Sequence, residues 1–201
     1  MNFLRKSKTK KSEKLISSET QSKYVKLKES INNSAGLIGL SIMSNQDTKN
    51  VIMELNEIIS LIQSNDLLSD EDLYRQYLLH RANANIEINN YESALNDYNT
   101  VRQLVKKNEQ DFNLHKLKSL EGISWCLARI GRYKESLDVC NEIIAYAYEK
   151  DQLINKFFVV RGACYKELGD EELAQKSFQL ANLNVSNLKE FIRVNGDESL
   201  D

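Results

Sequence analysis

Proline is absent from all 201 residues, and glycine and tryptophan are scarce, at seven and one. Without proline nothing removes a backbone donor or locks φ, so helices can run uninterrupted. Few glycines leave few places where the chain bends cheaply. The three cysteines are scattered and odd in number. That argues against a disulfide framework and for a reducing, cytoplasmic setting. The two histidines, His80 and His115, stand on different predicted helices, and no CxxC, HExxH, nucleophile elbow or phosphate loop occurs. The chain therefore offers no catalytic residue, metal-ligand set or cofactor motif, and the expectation is a protein that is not an enzyme. An excess of one charge is lacking too. With 27 basic and 29 acidic residues the net charge is −2, which disfavours nucleic acid as partner of the whole molecule. The longest apolar patch, Ala35 to Met43, is nine residues long and is interrupted by Gly39 and Ser41. A membrane span needs about 20. The basic start MNFLRKSKTKKSEK is not followed directly by an apolar stretch, so no secretory signal is read.

What is present is helical periodicity. Residues 1–20 are rich in Lys, Ser, Thr and Glu, with little to bury, and predict a disordered basic tail. Residues 21–68 predict a helical hairpin or cap. Within it Val51, Ile52, Leu55, Ile58, Ile59 and Ile62 recur at three- and four-residue steps, the stripe of an amphipathic helix. The partner helix spans Tyr24 to Ser44, kinked or broken near Gly36 and Gly39. Ser69 opens the next helix, with Asp72 at capping-box spacing. That helix runs to about Asn89, and Asn90 is the expected N-cap of its return. Asp111 to Ile130 and Tyr133 to Glu149 pair next, with Gly131 permitting the turn. Gln152 to Leu168 and Glu171 to Leu183 follow, with Gly169 and Asp170 in capping positions. Residues 69–188 thus hold three hairpins. A short helix from Ser186 to Val194 leads into 189–201, a C-terminal cap and acidic tail. The predicted fold class is all-α, a stack of antiparallel helical hairpins with flanking helices.

The three hairpins share a register. Aligned on their turns, Ala94, Ser136 and Ala174 coincide. So do Tyr98, Cys140 and Phe178, and so do Val101, Ile143 and Ala181. This small–large–small pattern resembles the tetratricopeptide repeat. The YxxAL and DY of the first hairpin (Tyr91, Ala94, Leu95, Asp97, Tyr98) are close to the family pattern. So are Arg161, Gly162, Tyr165, Gly169 and Asp170 in the third, while the second carries Ser124 and Ser136 at its small positions. The resemblance covers roughly Asp70 to Leu188. The family period is about 34 residues, whereas Ala94 to Ser136 is 42 and Ser136 to Ala174 is 38. The excesses are about two turns and one turn of helix, so lengthened helices with unrotated apolar faces are expected.

In that family the first helix of each hairpin lines a concave groove. The resemblance implies Gln76, Leu79, Asn83 and Ile86 from the first hairpin and Lys118, Glu121, Trp125 and Arg129 from the second. It implies Lys156, Val159, Ala163 and Lys166 from the third. Each set has three- or four-residue spacing and shares one helix face. Trp125 is either a groove anchor or packed against a neighbouring hairpin. The lysines and Arg129 either meet a partner or face solvent. Co-chaperones of the family hold acidic C-terminal tails with a dicarboxylate clamp. Here Asn83 and Lys156 match it, but Leu79, Gly122 and Val160 replace its other residues, and the clamp is rejected. Cys126, Cys140 and Cys164 read as small core thiols. The run Arg5, Lys6, Lys8, Lys10, Lys11 and Lys14, with Phe3 and Leu4 beside it, either solubilises the tail or touches anionic membrane.

The implied function is non-catalytic binding of a peptide segment or partner helix, acidic where it meets Lys and Arg, as a cytoplasmic adaptor or chaperone-like protein. The alternative is a self-associating structural subunit, a homo-oligomer whose groove is filled by its own or a neighbour's helices.

Overall fold

Eight α-helices and no strand occur among the described residues, which in this computed structural model are 17–35, 43–64, 71–105, 114–149 and 155–182. They are α1 (Ser18–Ala35), α2 (Asn45–Ser64), α3 (Glu71–Glu87), α4 (Tyr91–Leu104), α5 (Leu114–Arg129), α6 (Tyr133–Glu149), α7 (Asn155–Glu167) and α8 (Glu171–Ala181). Each packs against the next in sequence, and α3, α5 and α7 also touch directly, α3 on α5 and α5 on α7. The result is a stack of antiparallel hairpins. Among the described residues no helix is long and apolar enough to cross a membrane.

The first pair is held mainly through α2. Val51, Leu55, Ile58, Ile59 and Ile62 are buried, and Ile52 is half-buried. From α1 only Ile31 is fully buried, with Tyr24 and Leu27 packed at the core's edge. Polar contacts make up the rest: Ser30 Oγ donates to the Glu54 carboxylate at 2.8 Å, and Lys23 pairs with Glu57. The helix α1 starts at Ser18, inside the segment expected to be tail, because Ser17 Oγ accepts from the Thr20 backbone N–H at 3.1 Å and caps it. The expected break near Gly36 and Gly39, Ser69, the connection 106–113 and the helix from Ser186 all lie outside the described residues.

The three turns inside the hairpins are one backbone object repeated. Asn89, Gly131 and Gly169 take φ values of 59°, 81° and 85°. The next N–H then closes on a carbonyl five residues back, Asn90 to Asn85, Arg132 to Leu127 and Asp170 to Tyr165, at 2.8–2.9 Å. This is the Schellman closure, which satisfies carbonyls that the helix end would leave unpaired. The expected caps divide. Asp170 accepts from Leu173 N–H at 3.1 Å. Asn90 stands at the N-cap position but its side chain does not cap, since its amide donates instead to Asn85 Oδ1 at 3.0 Å. Asp72 turns to Arg75.

The shared register has a packing cause. Ala94, Ser136 and Ala174 are fully buried where the two helices of each hairpin approach. Ser136 Oγ donates to the Ser124 carbonyl at 2.8 Å, one small residue of the pattern against the other. At Gly162 an added Cβ would lie 2.6 Å from the Phe178 ring, so only glycine admits that ring. A second register position varies. Arg81 Nε and Nη2 grip Asp97 at 2.8 and 2.6 Å. Arg161 Nε donates to Ser177 Oγ at 3.2 Å, with its guanidinium 4.7 Å from the Phe158 ring. The middle hairpin has buried Ile123 and Val139 at these places. The three cysteines are buried. Burial pushes the thiols of Cys126 and Cys140 up to about 12, the latter helped by neighbouring Cys164, and raises Cys164 too. They remain protonated core groups, as read from the sequence.

Candidate functional site

Because α3, α5 and α7 lie side by side, their outward faces form one cleft, with α5 as its floor and the other two as walls. Its volume is about 850 Å³. The deepest apolar side chains are Leu79, Phe157 and Val160, all buried. Nearer the mouth, Leu114, Trp125 and Val159 keep 54%, 44% and 48% of their surface exposed. Three large apolar side chains left open around one hollow are unusual on a surface where exposed apolar groups are normally scattered.

One lining residue comes from a second helix. Tyr98 of α4 reaches beneath α5 because Gly122 leaves room, and a Cβ on Gly122 would fall inside the Tyr98 ring. The phenol donates to Asn83 Oδ1 at 2.5 Å, which fixes that amide at the cleft wall. Burial raises the Tyr98 pKa, so the hydroxyl stays a donor.

The polar groups are unevenly matched. Lys156 forms an ion pair with Glu121 across α5 and α7. Lys118 is exposed, with no carboxylate in ion-pair reach among the described residues. Both histidines line the cleft. Burial, with the Lys118 charge beside it, lowers the pKa of His80 and keeps it neutral. His115 Nδ1 lies 3.9 Å from Asp72, whose carboxyl is held low chiefly by its bond to Arg75.

Nine of the twelve groove positions carried by the resemblance line this cleft: Gln76, Leu79, Asn83, Ile86, Lys118, Glu121, Trp125, Lys156 and Val159. Arg129 is drawn to the rim. Its guanidinium lies 5.4 Å from the Tyr91 ring and 5.9 Å from the Trp125 ring, and donates to Tyr91 Oη at 3.2 and 3.3 Å. Lys166 and Ala163 are exposed on α7 and do not line the cleft. Leu114 and His115 were missed, although they continue the Lys118 face by one turn. Tyr98, Gly122, Ser124, Phe157, Val160 and His80 were also missed. Only the packing of α4 on α5 brings Tyr98 in.

On the other side of the middle hairpin a smaller hollow, about 260 Å³, lies among Leu95, Arg102, Ile123, Leu127, Arg132 and Glu135. There both arginines are matched: Arg102 with Glu142 at 2.6 Å and Arg132 with both Glu135 oxygens at 2.6 and 2.7 Å.

No protein-family model, curated protein or solved structure matches the chain.

Proposed function

We propose that this chain is a tetratricopeptide-like, non-catalytic binding module that takes a segment of a partner protein into the α3–α5–α7 cleft. The observation that carries this reading is Trp125. It is the sole tryptophan, nearly half exposed, on the floor helix of a large apolar hollow. Tryptophan in such a setting is a typical interface hot spot. The matched pair Glu121–Lys156 and the amides of Gln76 and Asn83 give the hollow the few fixed polar groups that orient a ligand. An adaptor or chaperone-like role follows from holding a partner segment without changing it.

The test is selection of peptides from a displayed library by the full chain, with Trp125→Ala as the comparison. Selected peptides should shift Trp125 emission to the blue, and the variant should bind them about 2 kcal/mol or more weaker, the hot-spot scale. Peptides that bind both proteins equally would place the site elsewhere.

A further inference from the structure

We infer that the cleft's occupant is an amphipathic α-helix of a partner protein, bearing two acidic residues eleven positions apart, one for Lys118 and one for Arg129. This rests on the reading of the cleft as a partner site.

Lys118 and Arg129 are both exposed on α5 and are eleven residues apart. Eleven residues are about three turns, so the two side chains lie within about 20° of one face and about 16 Å apart along the axis. Among the described residues neither has a carboxylate in ion-pair reach, whereas Lys156, Arg102 and Arg132 each have one. On α5 the cation Lys118 therefore stands one turn inside the Leu114 end of the cleft floor, and Arg129 stands at the rim, one turn past Trp125. Arg129 is already ordered, stacked beside Trp125 and bonded to Tyr91 Oη. Between the cations, one turn before Arg129, is Trp125, the apolar anchor.

A helix laid along α5 has the same rise and twist as its host. Acids at positions i and i+11 would then face both cations together, and apolar residues at i+4 and i+7 would meet Trp125 and its neighbours. An extended segment could also span the distance, with acids about five residues apart. It would, however, bring unpaired backbone N–H and C=O groups into an apolar hollow walled by helices, which present no strand edge to pair with them. A helix carries its backbone hydrogen bonds with it. Laid over α5, it would pack as helices ordinarily do, with axes about 8–10 Å apart.

The experiment titrates the full chain with three synthetic peptides of matched composition and reads the emission of Trp125. One is helical with glutamates eleven apart. The second is helical with glutamates nine apart, which turns them to opposite faces. The third is held extended by proline, with glutamates five apart. At low salt the eleven-spaced helix should bind about tenfold tighter than the nine-spaced one, and about 0.5 M salt should shrink that margin to about twofold. Lys118→Glu should remove the preference. A peptide with lysine in place of the glutamate facing position 118 should restore it, which excludes misfolding as the cause. Equal affinity for the two helices, or tightest binding by the extended peptide, would overturn the inference and leave the cleft as a partner site. No emission change with any of the three would overturn both.

Discussion

The two faces of the middle hairpin solve the same surface problem differently. On the α4–α6 side both arginines have carboxylate partners, Arg102 in Glu142 and Arg132 in Glu135. No large apolar side chain of α4 or of residues 133–145 of α6 is exposed. On the α3–α5–α7 side, Leu114, Trp125 and Val159 stay open to water, and Lys118 and Arg129 lack carboxylate partners among the described residues. Both faces belong to the same stack and share its core. The difference therefore does not come from how the hairpin folds. One face is complete in water, and the other retains apolar area and charge that a partner could satisfy.

The comparison breaks most visibly if the open face turns out to be core. Ile143, fully buried on α6, should lose about 2–5 kcal/mol of stability on Ile143→Ala, the range for emptying a core site. Trp125→Ala should lose only about 1 kcal/mol, because much of its surface already faces water. Urea unfolding of both variants checks this, and equal losses would make Trp125 a core residue. Gly122→Ala should come next, at about 1–3 kcal/mol, because its Cβ would collide with Tyr98 beneath the cleft floor. Adding Tyr98→Leu should recover part of that loss in thermal melts. A neutral Gly122→Ala would mean the ring does not occupy that gap.

Smaller effects sharpen the contrast. Glu142→Gln breaks a half-exposed pair on the closed face and should cost less than about 1 kcal/mol, fading as salt is raised. A salt-independent loss would point to packing rather than charge. The open face should answer to acid instead. The folded pKa of His80 lies below its ordinary value of 6.5. As pH falls through that value the unfolded chain takes up the proton first, so stability is present above it and declines below. His80→Gln should flatten that part of the melting-temperature profile. An unchanged profile would assign the titration to another group.

Much of this was legible from spacing. Ala94, Ser136 and Ala174 mark the register because only small residues fit where paired helices approach, and the helical period then projects the first-helix faces outward. Side-chain choices beyond that period were not legible. Arg129 keeps the expected helix face, yet its long side chain lies against Tyr91. Lys166 belongs to the last turn of α7, beyond the hollow. Tyr98 enters from a second helix through space that Gly122 vacates, a relation between residues 24 apart that no local pattern encodes. Asn90 lost its capping role because Asn85 offered its amide a partner, a competition visible only once the turn has closed.

That turn bears on how the chain reaches this structure. Gly131 and Gly169 enter the left-handed region without penalty, while Asn89 carries a Cβ there, at a cost of about 1 kcal/mol even for a residue type that tolerates it. Contacts join mainly consecutive helices, a topology of low contact order in which each hairpin can nucleate by itself and propagate to its neighbours. The hairpins closed by glycine should therefore form earliest, with structure growing from them toward α3 and α4. Asn89→Gly should speed the closure of that last hairpin.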